Sequence, residues 1–343
     1  MKNRLWLIPA LLLVIAGCSQ VTEGKEAEYI FRFAHEESPS SVQADYVKEF
    51  ADKLEKKSNG RIKVERYPIG QLGNATEQAE LLQIGAIDFA IVSPGNTGTI
   101  VPENQLFSLH FLFSDEMNVN KQVLNESDAL YEDLNSLYLE KNIKVLDYWT
   151  EGFMNWTSNQ ELAVPTDFNG FKMRTMPSPL IVAAYEAYGA NPTPVPYMEV
   201  YSGLQLNMID GQENPMFAIE EMNFYEVQKY LTLSKHGLYI TTTAVNPDFY
   251  ESLPNDIQHI VDETTAEMQA RSFAIQNEFN QSALDHIKSD SDINVAELNE
   301  EERQKFEEQS QEVREYYKRL VGEEGAKILD KLEKDIQKAE KNQ

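Results

Sequence analysis

The segment from Tyr29 to Val92 restricts the fold more than any other part of the chain. Tyr29–Ala34 reads as a strand. Val42, Tyr46, Phe50 and Leu54 then recur every four residues, the single apolar stripe of an amphipathic helix. Asn59-Gly60 is a turn signal, and beyond it Ile62 and Val64 alternate with Arg61, Lys63 and Glu65 as on a half-buried strand. A second helix carrying Leu81, Leu82 and Ile84 ends at Gly85, and Ile87–Val92 is an apolar run of strand length. Strand, helix, strand, helix, strand predicts an α/β fold on a parallel sheet. Ligands of such sheets bind at the carboxyl ends of the strands. That edge holds His35, the loop after Pro68 and the segment that begins at Ser93.

The pattern returns further on. Ile143–Trp149 and Phe153–Ser158 read as strands leaving the first unit, and Phe171–Met176 as another. Helices are expected over Ser178–Tyr188 and Glu199–Met208, and a strand over Leu238–Val245. From about Asn255 the chain reads as almost wholly helical, and the charged run Glu300–Gln343 as a solvated helix against its own lobe. The organisation that follows is two α/β lobes, 29–148 plus about 238–265 and 149–237 plus about 285–343. Chain crossings near Tyr148–Gly152 and His236–Tyr239 would leave a ligand cleft between them.

The first 17 residues stand apart. Lys2 and Arg4 precede an apolar run of 12 residues, Leu5–Ala16, the length of a signal-peptide core and too short for a mature bilayer span. Ile15-Ala16-Gly17-Cys18 resembles the lipobox of bacterial lipoproteins, which implies cleavage before Cys18 and its acylation. Residues 18–28 then serve as a polar tether. Cys18 is the only cysteine, so the folded part carries no other thiol. A net charge of −26, more negative still without Lys2 and Arg4, opposes nucleic-acid and anionic-lipid binding. It leaves room for a small anion at a locally positive site.

Enzyme signatures are missing. The sequence has no phosphate-binding glycine loop, no Cys-x-x-Cys and no Gly-x-Ser-x-Gly elbow. His35-Glu36 begins like a zinc helix motif, but Pro39 stands where the second histidine would be. No catalytic residue, cofactor or metal is expected.

The stretch 165–231 is the most specific. It holds Gly170-Phe171-Lys172-Met173-Arg174, Met176-Pro177-Ser178-Pro179, Asn191-Pro192-Thr193-Pro194-Val195-Pro196, Asp210-Gly211-Gln212-Glu213-Asn214-Pro215 and Phe224-Tyr225-Glu226-Val227-Gln228-Lys229. Phe33-Ala34-His35, Gly70-Gln71-Leu72-Gly73 and Phe111-Leu112-Phe113 precede it. Together these resemble the extracytoplasmic solute receptors of TRAP (tripartite, ATP-independent) transporters, of the C4-dicarboxylate-binding type, over about residues 29–300. The resemblance implies a two-lobed, periplasmic-binding-protein-like fold with a long helix spanning both lobes. It implies capture of a small carboxylate outside the cytoplasm by a monomer held at the cell membrane through Cys18, and delivery to a membrane permease. A receptor of the same fold that presents its ligand to a sensor kinase is the alternative.

The family's signature arginine matches Arg174, its asparagine contact Asn214 and an aromatic ligand-packing position Tyr197. A guanidinium suits the first role because its paired N–H donors match a carboxylate and its charge is permanent. Ser93, Met154 and Trp156 complete the expected ligand-binding set. Where many relatives carry a basic residue this chain has Met154, and where an acidic one is common it has Ala75. A hydroxy-, keto- or aromatic monocarboxylate is therefore as well suited as a dicarboxylate.

Overall fold

The computed structural model describes residues 27–342. The expected leader, Cys18 and most of the tether lie outside them. Among the described residues no helix is long and apolar enough to cross a membrane.

Strands β1 (Tyr29–Ala34), β2 (Ile62–Tyr67), β3 (Phe89–Val92), β4 (Lys144–Phe153) and β10 (Leu238–Val245) form one sheet in the order β2-β1-β3-β10-β4. β1 pairs parallel with β2 and β3, while β10 runs antiparallel to β3 and β4. The alternation of side chains sorts this sheet into two cores. Phe31, Phe33, Phe89 and Ile91 face the helix Val42–Lys57, whose Val42, Tyr46, Phe50 and Leu54 are all buried as their spacing requires. Ala34, Ala90 and Val92 face the opposite cluster with Leu106, Leu130 and Tyr138. The helix starts at Ser41, whose hydroxyl accepts from Ala44 N at 3.1 Å. The turn after it puts Asn59 and Gly60 at φ 53° and 78°, conformations that Asn and Gly tolerate best.

A second sheet orders β11 (Asn294–Glu297), β9 (Tyr230–Leu233), β5 (Asn155–Ser158) and β8 (Gly211–Asn214). The chain passes between the sheets at Met154 and again over Ser234–Gly237. These crossings are tied to each other and to the lobe built on the first sheet, lobe I, by Met154 N donating to Gly237 O (2.8 Å) and Phe111 N to His236 O (2.7 Å).

Several elements differ from the sequence reading. The strand expected over Phe171–Met176 shrinks to β6 (Arg174–Thr175), paired only with β7 (Thr193–Pro194). Pro177, Pro179, Pro194 and Pro196 lack the N–H that a longer ladder needs. The two strands read as Ile143–Trp149 and Phe153–Ser158 divide at Met154 instead, with Gly152 at φ 115° just before the break. The expected helix Glu199–Met208 covers only Val200–Gln205 and is closed by Asn207 at φ 55°. β11 is the short strand within the run read as almost wholly helical.

Two long helices lace the lobes together. Asn255–Asp290 joins lobe I through Arg271–Glu49 (2.8 Å) and reaches the helix Met216–Glu221 through Asn280 Oδ1, which accepts from Phe217 N at 3.1 Å. Glu300–Lys341 does not stay on one lobe as expected. Phe306 packs with Trp156 and Phe168, Val313 and Tyr317 already belong to the core of the first sheet, and beyond the bend at Gly322 (φ 70°) Leu329, Leu332 and Ile336 join that same core. Lys331 pairs with Asp133 at 2.8 Å there.

Candidate functional site

The carboxyl ends of β1, β2, β3, β6, β7 and β8 converge on a cleft of about 480 Å³. Lobe I supplies Glu36 and Glu37 after β1, the loop Ile69–Thr76 after β2, Asn96 and Tyr239. The facing wall supplies Arg174, Met176, Pro194–Glu199 and Asn214.

Arg174 is 3% exposed. Its Nε donates to Val195 O at 3.0 Å, and no carboxylate pairs with its guanidinium among the described residues. Burial pulls its pKa down, with Glu213 opposing, but a guanidinium stays charged. The terminal N–H groups therefore await an acceptor in the cleft. The buried Tyr197 hydroxyl has no hydrogen-bond partner either. Asn214, also on the cleft wall, donates to Gln212 through its amide nitrogen.

The lobe I wall is anionic. Glu36 accepts from Ser93 N (3.1 Å), Ser93 Oγ (2.6 Å) and Asn96 Nδ2 (3.2 Å). Burial nevertheless raises its pKa to about 7. Burial likewise raises Glu37 to about 7. Behind it Glu151 is pushed well above the carboxylate range by burial and by Glu37, which favours its protonated form. Gln43 Nε2 holds the other Glu151 oxygen at 2.8 Å. Arg174 is the only Arg, Lys or His among the residues lining the cleft.

Of the residues singled out in the sequence, Arg174, Asn214 and Tyr197 meet at this cleft, and Ala75 lines it too. Ser93 lies beneath, fully buried, and meets the cleft wall through Glu36 and Asn96. Trp156 does not face ligand. Strand alternation turns its indole into the core, where it stacks on His236 at 4.6 Å and donates to Tyr185 Oη at 2.9 Å. Met154 lines a separate small cavity behind the cleft. His35 is buried and off the cleft wall, with burial and Arg66 lowering its pKa to about 4. The sequence reading missed Glu36, Glu37 and Glu151. Glu36 and Glu37 follow β1 directly, so their place at its carboxyl end was the available signal; nothing local marks Glu151.

Residues 33–320 match the model of the bacterial extracellular solute-binding protein, family 7. The chain belongs to that family. It is 36% identical to the ectoine-binding periplasmic protein TeaA of Halomonas elongata over 89% of each chain. It is 31% identical to the C4-dicarboxylate-binding protein DctB of Bacillus subtilis over 91% of this chain and 89% of that one. The solved structure of the ectoine-binding protein from the TeaABC TRAP transporter superposes with a TM-score of 0.87 and 35% identity, covering 90% of this chain and 99% of that one. The protein is thus an extracytoplasmic, TRAP-type solute-binding receptor with the two-lobed fold of that family.

The buried acids make a checkable electrostatic prediction. Between the ordinary carboxylate pKa and about 7, the folded state binds more protons at Glu36 than the unfolded state does, so stability falls as pH rises through that window. Glu36→Gln removes this slope. Its stability relative to wild type should rise by about 1–3 kcal/mol between pH 4.5 and pH 8, read from urea melts at both values. A difference that stays flat would mean that Glu36 titrates normally.

Proposed function

We propose that the solute is a small zwitterion, its carboxylate on Arg174 and a delocalised cation against Glu36 and Glu37, and that the protein passes it to the permease of a TRAP transporter. One observation carries this reading: the same cleft holds a buried arginine without a counter-ion and two buried carboxyls poised near neutrality. A cation beside the carboxyls offsets the cost of ionising them. Ectoine has this chemistry, a carboxylate and an amidinium on one small ring, and Met176, Val195 and Tyr197 offer apolar surface to such a ring. A dicarboxylate would instead set its second negative charge beside Glu36 and Glu37, with no second cationic side chain to receive it.

The reading includes a lipid anchor on Cys18, supported by the apolar run that ends Ala16-Gly17-Cys18. Cys18→Ala should release the protein from the membrane fraction or leave it unprocessed; a variant still membrane-bound at the processed size would remove this part.

Calorimetry separates the two ligand classes by pH. Ectoine needs ionised Glu36 and Glu37, so its affinity should strengthen from pH 6 to pH 8. Succinate needs them protonated and should weaken over the same range. Succinate binding more tightly than ectoine at pH 8 would sink the zwitterion.

Arg174→Ala should cost about 2–5 kcal/mol of binding, because the ligand carboxylate is then buried unpaired. At about 1.4 kcal/mol per tenfold this is roughly thirty- to several-thousand-fold in Kd. Arg174→Lys should lose less, keeping the charge without the paired donors. A folded Ala variant that binds within about threefold of wild type would refute the role of Arg174.

A further inference from the structure

Behind the cleft, where the chain passes between the lobes, lies a second cavity of about 40 Å³. Its polar wall is made by His110, Glu213 and His236. All three are buried, and one candidate ligand atom from each lies within 4.8 Å of the others. They arrive from three places. His110 follows the segment Pro102–Ser108 of lobe I, Glu213 sits on β8 of the second sheet, and His236 lies on the link from β9 to β10.

We propose that this cavity binds one divalent transition-metal ion of the zinc class, through Nε2 of His110, Nε2 of His236 and the carboxylate of Glu213. Two imidazoles and a carboxylate form a donor set that zinc accepts readily, whereas calcium and magnesium favour all-oxygen shells.

The outer contacts are those that orient ligating histidines. Nδ1 of His110 meets Tyr188 Oη at 2.8 Å, and that hydroxyl leads on to Ser310 Oγ (2.8 Å) and the Phe306 carbonyl (2.8 Å). Nδ1 of His236 meets Ser234 Oγ at 2.7 Å. A proton held on Nδ1 leaves the lone pair on Nε2, the form a metal requires.

The inner side of the cluster is incomplete. Nε2 of His236 stands 2.7 Å from Glu213 Oε2, which Tyr185 Oη–H also reaches. Without an ion, Nε2–H of His236 donates that bond while Nδ1 accepts from Ser234; a metal takes the place of the Nε2 proton, which passes to solvent. Nε2 of His110 and Oε1 of Glu213 have no hydrogen-bond partner among the described residues. The cavity exceeds the roughly 10–15 Å³ that a water-sized occupant needs.

An ion here would join both lobes at their crossing. The cavity shares Met176 and Tyr239 with the wall of the solute cleft, so its occupancy would bear on solute binding.

Two surface clusters compete for metal and must be removed first: His259 with Glu263 (3.2 Å), and His286 with Glu220 (2.7 Å) and Asp290 (3.1 Å). In a His259→Gln/His286→Gln background, chelator-stripped protein is titrated with Zn²⁺ at pH 7.5 and with Co²⁺ followed by its visible d–d absorption. The expected result is one ion per chain, with Kd weakened at least about tenfold by a further His110→Gln. Equal affinity with and without His110, or no stoichiometric binding, overturns the site. Should His110→Gln fail to fold, anomalous diffraction at the zinc edge on zinc-soaked crystals of the wild-type chain decides. A peak between His110, Glu213 and His236 supports the assignment, and its absence at saturating zinc overturns it.

Discussion

Strands β4 and β10 pair antiparallel from Leu238↔Phe153 to Val245↔Lys144, and both lobes hang from that pair. Trp149 anchors it from one face, stacked on Tyr46 at 4.6 Å and donating to Thr243 Oγ1 at 3.1 Å. Each strand leaves the first sheet at the same end, one through Met154 and one through Gly237. The backbone bond between those two residues makes the crossings a single joint. A joint of a few element-terminal residues is where hinge closure concentrates its φ/ψ change. Gly152 belongs to it: a Cβ there would come 2.6 Å from Asn280 Nδ2, so the long helix Asn255–Asp290 packs against bare backbone. The solute cleft and the inner cavity both share Tyr239, the second residue of β10.

Around this joint an acidic chain buries charge of both signs. Isolated buried charges are expensive, and proteins normally pair them or neutralise them by protonation. Arg174 is left without a carboxylate, Glu36 and Glu37 rise toward neutral pKa values, and Glu151 favours its protonated form. The apo cleft therefore holds unsatisfied electrostatics that a ligand of matching charge can resolve. The same physics explains why Ser93 and Asn96 are spent on Glu36: three hydrogen bonds keep ionisation within reach of neutral pH.

Much of the fold was legible because it is local. The four-residue spacing of Val42, Tyr46, Phe50 and Leu54, the Asn59-Gly60 turn and the short apolar run before Ser93 each state their own secondary structure. Errors fell where partners decide. Phe171–Met176 has strand composition but lacks neighbours with free N–H groups. Trp156 was read as a ligand contact because its motif borders the pocket, yet strand parity sends it to the core. Glu300–Gln343 gave no sign that it would cross onto the other lobe, since a solvated face and a buried one differ there by only a few apolar residues.

The sequence by itself determined the class of the molecule: an α/β chain with an acidic surface, a leader-like start, and an arginine within a motif specific enough to name its family. Periodicity and covalent order suffice for this, because each such signal spans fewer than about twenty residues. Only the tertiary structure decided what shares the cleft with Arg174. Glu36, Glu151 and Arg174 lie on separate elements, and their pKa values depend on burial that no local pattern encodes. The gathering of His110, Glu213 and His236 is likewise a product of the crossings, because only folding brings His110 together with two residues more than a hundred positions further along the chain.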